Sequence, residues 1–376
     1  MKNIDLVLLD EGLMPVEVIQ NFTSLIWNQG YYSIGTFEIY APYQTNIFKA
    51  SLAAKFVLRA DKKQVGYIET IKECSQNGKK MLMISGYSIE GIMQKRIFHP
   101  ASFGGLMTSG GYLISVLSDT LPKILSKATV SVKELSLSKP YCWLFAPEQH
   151  TEYLSTIAYS SLEAYKCSLS HKLNSYGSIE FSIYEGLDRT ISQNINAPKL
   201  YSENMGNIRN MTYQKSEAGC RDVVIVMGVM PQDVQNQTQG TIFSYVYNPN
   251  NINLSEDLNA NHVGIIRDIK LSEYTDSEGN KTYQYDSDAT MRYFEQEAKA
   301  EFIPISESFS AEVLDVEGVS LGDIVSLRDD ERGMTYSRRI ESLTESYNPN
   351  KDTVSVNFGK AINTSTDILK RTIGLR

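Results

Sequence analysis

A chain of 376 residues, 42% apolar and 21% charged, has the composition of a soluble globular protein and the length for two to four domains. Its net charge of -8 argues against a protein that wraps nucleic acid tightly, although an acidic chain can still line a path along which DNA slides. No apolar run reaches membrane-spanning length, and Met1-Lys2-Asn3-Ile4-Asp5 lacks the pattern of a secretory signal, so the expectation is synthesis in a cytoplasm with no membrane anchoring. Cys74, Cys142, Cys167 and Cys220 form no C-x-x-C pair and read as free thiols. The 23 tyrosines hint at contact surfaces without naming a partner.

Residues 1–98 read as mostly β. Leu6-Val7-Leu8-Leu9 is a short apolar strand, Leu25-Ile26-Trp27 a second, and Phe37, Ile39 and Ala41 alternate with polar neighbours until Pro42. Three more strands are expected over 56–59, 64–71 and 80–87, separated by turn residues, which suggests a barrel or sandwich. The Gly-rich stretch 101–111 reads as a loop. Residues 112–126 read as a helix with Tyr112, Val116 and Leu117 on one stripe, restarted at Pro122. The spacing predicts a longer helix over 152–173, with Leu154, Ile157, Ala158, Leu162, Leu169 and Leu173 on one face. Beyond Gly177 the chain turns β again. Ile179, Phe181 and Ile183 alternate, and Val223–Met227 reads as a strand buried on both faces. A hairpin is expected over 262–285 with its tip at 276–280, then a helix over 289–300 carrying Met291, Phe294 and Ala298, then four strands between 309 and 358. Residues 361–376 read as a tail.

Candidate chemistry is sparse. Ser88, in Gly86-Tyr87-Ser88-Ile89-Glu90-Gly91, misses the nucleophile-elbow pattern by one residue and reads as a turn or helix start. Asp286, Asp288, Thr290 and Glu297 have calcium-loop spacing, but Met291 stands where that loop needs glycine; an acidic helix start is the simpler reading. His99, His150, His171 and His262 never pair at metal-ligand spacing, and His150-Thr151-Glu152 is not followed by the cysteines of a deaminase site. The loop at 104–111 lacks the ending that cradles phosphate. From the residues alone, the chain is a β-rich, multidomain protein for which no catalytic, cofactor or metal site is expected.

Five blocks, in order, resemble a family of siphophage tail proteins related in fold to the central baseplate hub of contractile phages. The first runs from Phe22 to Trp27, then from Tyr31-Tyr32-Ser33-Ile34-Gly35 through Thr36-Phe37-Glu38-Ile39 to Pro42. The second is Val65-Gly66-Tyr67-Ile68-Glu69, and the third runs from Ile84-Ser85-Gly86 to Arg96-Ile97. The fourth is Tyr184-Glu185-Gly186-Leu187-Asp188-Arg189-Thr190 with Gly206-Asn207-Ile208; the fifth is Leu321-Gly322-Asp323-Ile324-Val325, ending at Val356-Asn357-Phe358-Gly359. Physically these residues read as fold determinants. Gly35, Gly66 and Gly86 suit turns or close strand approach, and Trp27 and Phe37 belong to the core or an interface. Arg96 and Thr190 close their blocks, Asp188 and Arg189 suit an ion pair fixing a strand end rather than catalysis, and Gly322-Asp323 a turn.

The resemblance implies a fold that is mainly β with α/β elements: two tube-like β-barrels plus peripheral helical and hairpin domains. Residues 1–98 would form the first barrel, 177–235 with 303–360 the second, 99–176 a helical domain, and 236–302 an inserted hairpin and helix. It implies a homotrimeric hub in a virion or tail-like particle, presenting six barrels to a hexameric tail tube. The hub would join the tube or a distal tail protein to the spike or tip protein, among the other baseplate proteins and the tape measure protein. It would form a channel for transient DNA passage, lined on the strength of net charge by acidic side chains. The resemblance also implies that any peptidase or lysozyme sits on a separate chain. Two other readings, a tail-associated cell-wall hydrolase and a glycan-binding adhesin, need an active site or a sugar site. Contractile and non-contractile tails, and phage and bacteriocin particles, stay open.

Overall fold

The computed structural model describes residues 4–76, 78–98, 113–135, 137, 152–217, 220–229, 243–249, 262–275, 281–303, 306–314, 316–349 and 351–359. They fall into two compact units, one from Met1–Tyr213 with Phe309–Lys360 and the other over Gln214–Ser308. The described residues are mostly strand, as the sequence indicates.

The first unit opens with β1 (Leu6–Leu9), β2 (Pro15–Ile19), β3 (Ser24–Gly30), β4 (Thr36–Pro42), α1 (Thr45–Ala53), β5 (Phe56–Arg59), β6 (Gln64–Gln76) and β7 (Lys79–Ser88). All pair antiparallel, in the order β2-β1-β5-β6-β7-β4-β3. β1 and β5 are buried on both faces, which explains their unbroken apolar runs. Leu6, Leu8 and Val57 face one core; Val7, Leu9, Phe56 and Leu58 face another. Neither β2 nor α1 is expected from the sequence. β2 exposes Val16 and Val18, and α1 buries only Ile47 and Ser51, so neither carries a full apolar stripe.

A 3-10 helix over Ile89–Lys95 leads into β8 (Ile97–Phe98), α2 (Leu113–Ile124), β9 (Thr129–Leu135), β10 (Glu152–Tyr153), α3 (Leu154–Ala164), β11 (Ser168–Ser175) and β12 (Ser178–Tyr184). α2 buries Val116 and Leu117 of the expected stripe and adds Leu113 and Leu121, while Tyr112 lies outside the described residues; Pro122 lies inside its last turn. The helix expected over 152–173 is half strand. α3 ends at Ala164, where Lys166 takes a positive φ of 58° and Cys167 N–H donates back to the Leu162 carbonyl. Leu169 and Leu173 mislead because a four-residue spacing fits both the helical and the strand period. β11 and β12 form a hairpin across Gly177, and β9 joins β12 in parallel. This small sheet and both helices share one core with Val7, Leu9, Phe56 and Leu58.

The second half of the large sheet is assembled from β13 (Asp188–Arg189), β14 (Leu200–Tyr201) and β15 (Ile208–Ser216), with the C-terminal strands described below. Between them lies the second unit: β16 (Val223–Val229), β17 (Phe243–Tyr247), β18 (His262–Asp268), β19 (Leu271–Thr275), β20 (Lys281–Tyr285) and α4 (Ser287–Glu301). β16 pairs with β17 and, in parallel, with β18, while β19 and β20 form a separate hairpin shorter than expected. Phe294 and Ala298 of α4 pack with Val224 and Val226, whereas Met291 and Met227 are exposed. Asp286 caps α4 by accepting from Ala289 N–H at 2.8 Å.

The chain closes with β21 (Ser306–Val313), β22 (Ile324–Asp329), β23 (Met334–Tyr347) and β24 (Asp352–Phe358). β23 pairs with β22, β24 and, decisively, β3. The two halves expected as separate barrels therefore share one sheet, in the order β15-β21-β24-β23-β3-β4-β7-β6-β5-β1-β2. Among the described residues this path has two ends, β15 and β2, so no closed barrel is present.

Arg59, wholly buried at the end of β5, reaches across the core to β23. Its Nη1 donates to Glu345 Oε2 at 2.6 Å, its Nε to Asp61 at 2.8 Å and its Nη2 to Tyr347 Oη at 3.1 Å. Lys62 adds a second bond to Glu345 Oε2 at 2.8 Å. Burial alone would raise the Glu345 pKa, but the bonds and charge of Arg59, with Lys62 behind it, outweigh burial and hold it down to about 2. Removing one member of a buried pair strands the other, at a cost of about 3–5 kcal/mol. Arg59→Met is therefore expected to lower the unfolding free energy by about 3 kcal/mol in urea titrations. Because the folded-state pKa of Glu345 is depressed, its contribution is complete above the ordinary carboxylate range and fades as pH falls toward 2. The stability gap between the native chain and Glu345→Gln should narrow across that window, as urea midpoints measured from pH 6 to pH 3 will show.

Candidate assembly surface and the junction behind it

The residues closest to a catalytic arrangement form a closed structural network. Ser88 Oγ donates to Glu90 Oε2, and His171 Nδ1 lies 2.6 Å from Glu90 Oε1. The other ring nitrogen, Nε2, accepts from Val65 N–H at 2.7 Å, so the proton sits on Nδ1 and points at Glu90. The imidazole therefore has no free nitrogen to take the Ser88 proton. All three residues line a cavity of about 420 Å³ in the first unit. The other candidates are dispersed. Thr290 Oγ1 accepts from Lys270 N–H and Glu297 pairs with Arg267. His99, His150 and the loop at 104–111 lie outside the described residues. Among those residues no cluster of His, Cys, Asp and Glu could hold a metal ion, and no helix is long and apolar enough to cross a membrane.

The motif residues gather instead at two places in the sheet. Trp27 stacks on Phe37 with ring centroids 5.3 Å apart, both rings buried. The Phe37 ring lies so close over Gly66 that a Cβ there would sit 2.4 Å from Cε1. Gly86 stands opposite the bulge at Ile68–Thr70, where a Cβ would meet the Tyr67 carbonyl oxygen at 2.0 Å. Gly35 has the Asn28 carbonyl oxygen in the same position. Arg96 is exposed; its carbonyl accepts from Leu154 N–H at 2.8 Å.

The second gathering is the junction of the two halves, centred on Tyr31, which the sequence reading did not single out. Its ring is buried and its Oη donates to the Lys166 carbonyl at 2.9 Å and accepts from Gly186 N–H at 3.2 Å. Burial pushes the phenol far above its ordinary pKa, which keeps it a neutral donor. Gly322, at φ +94°, lies against the face of that ring, and Gly186 lies against the Gly322 backbone; a Cβ at either would collide within 2.1 Å. Arg339 covers the ring at 4.9 Å and donates to the Gly322 carbonyl at 2.6 Å. Asp323, also buried, accepts from Leu187 N–H, Ser320 N–H and Arg189 Nε, each at 2.8–2.9 Å. The ion partner of Arg189 is thus Asp323; its neighbour Asp188 accepts from the buried Thr190 N–H at 2.8 Å.

This junction anchors an ordered loop between β13 and β14. Gln193 donates to the Thr190 and Asn196 carbonyls and accepts from Ile195 and Asn196 N–H, while Asn196 Nδ2 donates to the Asp188 carbonyl. With its polar groups turned inward, the loop holds Ile191 and Ile195 outward, Ile195 at 88% exposure. An apolar side chain on a self-bonded loop is a preorganised contact, because little ordering cost remains on binding.

The match to a family model spans residues 5–360. The chain belongs to the Siphovirus ReqiPepy6 Gp37-like proteins. Three solved structures share the fold over nearly their whole lengths. A tail protein from Neisseria meningitidis MC58 is 12% identical, with a TM-score of 0.57 over 95% of this chain and 97% of that one. The 43 kDa tail protein of prophage MuSo2 from Shewanella oneidensis is 11% identical, with a TM-score of 0.54 over 95% and 98%. Prophage tail protein gp18 from Listeria monocytogenes EGD-e is 12% identical, with a TM-score of 0.50 over 99% of each chain. No curated protein sequence matches.

Two glycines separate close packing from turn strain. Gly322→Ala adds a collision to a left-handed backbone and is expected to cost about 3 kcal/mol. Gly206→Ala, at φ +66° with open space around it, should cost only about 1 kcal/mol. Thermal melts of the two variants will show the difference.

Proposed function

We propose that this chain is a structural component of a phage tail or tail-like particle, a hub at the baseplate or tail tip that joins the tail tube to the spike or tip and surrounds the central channel. In this reading it works by assembly, not by chemistry. Copies associate as a homotrimer whose two half-sheets serve as tube-facing modules, with the segments 99–176 and 236–302 at the periphery. The tube or a distal tail protein, the spike or tip protein, the tape measure protein and other baseplate proteins are its neighbours.

The observation that carries the reading is the single sheet running through both halves of the chain, which among the described residues ends at β2 and β15. A sheet edge is a template for further strands, and β2 exposes Val16 and Val18 beside Pro15 and Glu17. The Ile191–Ile195 loop adds a second contact surface. The family and the fold shared with tail proteins support the same reading. The test is the mass in solution by light scattering, alone and with tube and spike proteins. A species of three times the 42.3 kDa chain is expected, at least with a partner present. Ile195→Asp should abolish that species while leaving the melting temperature unchanged. A monomer under every condition contradicts the reading.

A further inference from the structure

The cavity beside Ser88, Glu90 and His171 carries polar groups that the protein itself leaves unmet. Its volume of about 420 Å³ falls within the range of small-molecule sites, roughly 300–1,000 Å³, and is many times the roughly 30 Å³ share of one water molecule. Three elements, β3, β6 and α3, bring Gln29, Gln64 and Tyr159 to its wall. Gln64 Nε2 donates to Gln29 Oε1 at 2.7 Å. That one bond leaves the Gln29 amide nitrogen and Gln64 Oε1 without partners among the described residues, and a buried acceptor such as Gln64 Oε1 is costly to leave so. Turning both amides over leaves the same count, one donor group and one acceptor. The Tyr159 hydroxyl also meets no hydrogen-bond partner among the described residues. Burial, with the Glu90 carboxylate nearby, holds this phenol well above its ordinary pKa, so it stays a neutral donor.

The cavity offers no free charge. Its charged lining groups are Lys62 and Glu90, and both are taken: Lys62 donates to Glu345 at 2.8 Å, and Glu90 accepts from Ser88 and pairs with His171. A phosphate, carboxylate or ammonium entering here would lose its water without gaining a counterion. A purely apolar ligand would leave the amides and the phenol unmet. A neutral ligand that donates and accepts at several points meets both conditions, and a hydroxyl does both through one atom. The exposed Ser33 and Ser320 extend the same chemistry toward solvent, while Leu169, Leu343 and Trp27 supply apolar wall. Hydroxyls set around a ring with C–H faces fit such a lining.

We propose that this cavity binds an uncharged sugar, one or two rings in size. The site lies within the first unit and does not depend on the hub reading.

The test is saturation-transfer NMR on the full chain in solution with glucose, galactose and N-acetylglucosamine, beside glucuronic and galacturonic acids. At least one neutral sugar should bind, and the acids should bind about tenfold more weakly or not at all. Tyr159→Phe on α3 and Gln64→Leu on β6 should each weaken the binding about tenfold, the loss of one hydrogen bond in a desolvated site, and leave the melting temperature unchanged. The two variants lie on different elements, so either one that folds decides. Binding by none of the neutral sugars means that the cavity holds water only and overturns the proposal. Equal binding by the acids overturns it too, as does binding that a folded variant leaves unchanged, which puts the sugar elsewhere. Every result is read on the chain alone, so none bears on its place in a particle.

Discussion

Arg59 is the interaction on which the rest of the structure depends. A guanidinium with no solvent exposure is tolerable only when its donors are met, and here Asp61, Glu345 and Tyr347 meet them. Because Arg59 sits on β5 and Glu345 on β23, the pair ties the far side of the first half-sheet to the first strand of the second. Its planar fork also lies 5.3 Å from the Tyr347 ring and 6.0 Å from Trp27, so the charge is packed as well as paired. The ion pair joins β5 to β23, and β23 continues the sheet into β3 in a defined alignment.

The Tyr31 junction does the complementary work at the other end of β3. Two glycines let backbones approach where no side chain fits, and a neutral buried phenol bonds to both sides of the contact. Asp323 then fixes the start of the loop that carries Ile191 and Ile195. Asp323 thus links the buried junction to the loop that exposes Ile191 and Ile195.

Much of this was legible in the sequence where one physical signal dominated. Phe37, Ile39 and Ala41 alternate because one face of β4 is buried, and Leu6–Leu9 is uniformly apolar because both faces of β1 are. Leu169 and Leu173 failed as guides because their spacing serves two periods. β2 and α1 were invisible because each buries too little to leave a pattern. The glycine motifs announced close approach, but not what approaches. Tyr31 stood in the first block without a role and Glu345 in no block, since their roles depend on partners more than 130 residues away in the chain. The expectation of two barrels missed the pairing of β3 with β23, a long-range register that no local pattern encodes.

The most direct measurement is the position of the chain in an intact particle, by electron cryomicroscopy of tails carrying an antibody or tag on this protein. Density on the tail axis with threefold symmetry, at the tube end, is the expected result. Density confined to the periphery, or a chain absent from purified tails, contradicts the hub reading and makes a search for enzymatic or glycan-binding activity the next step.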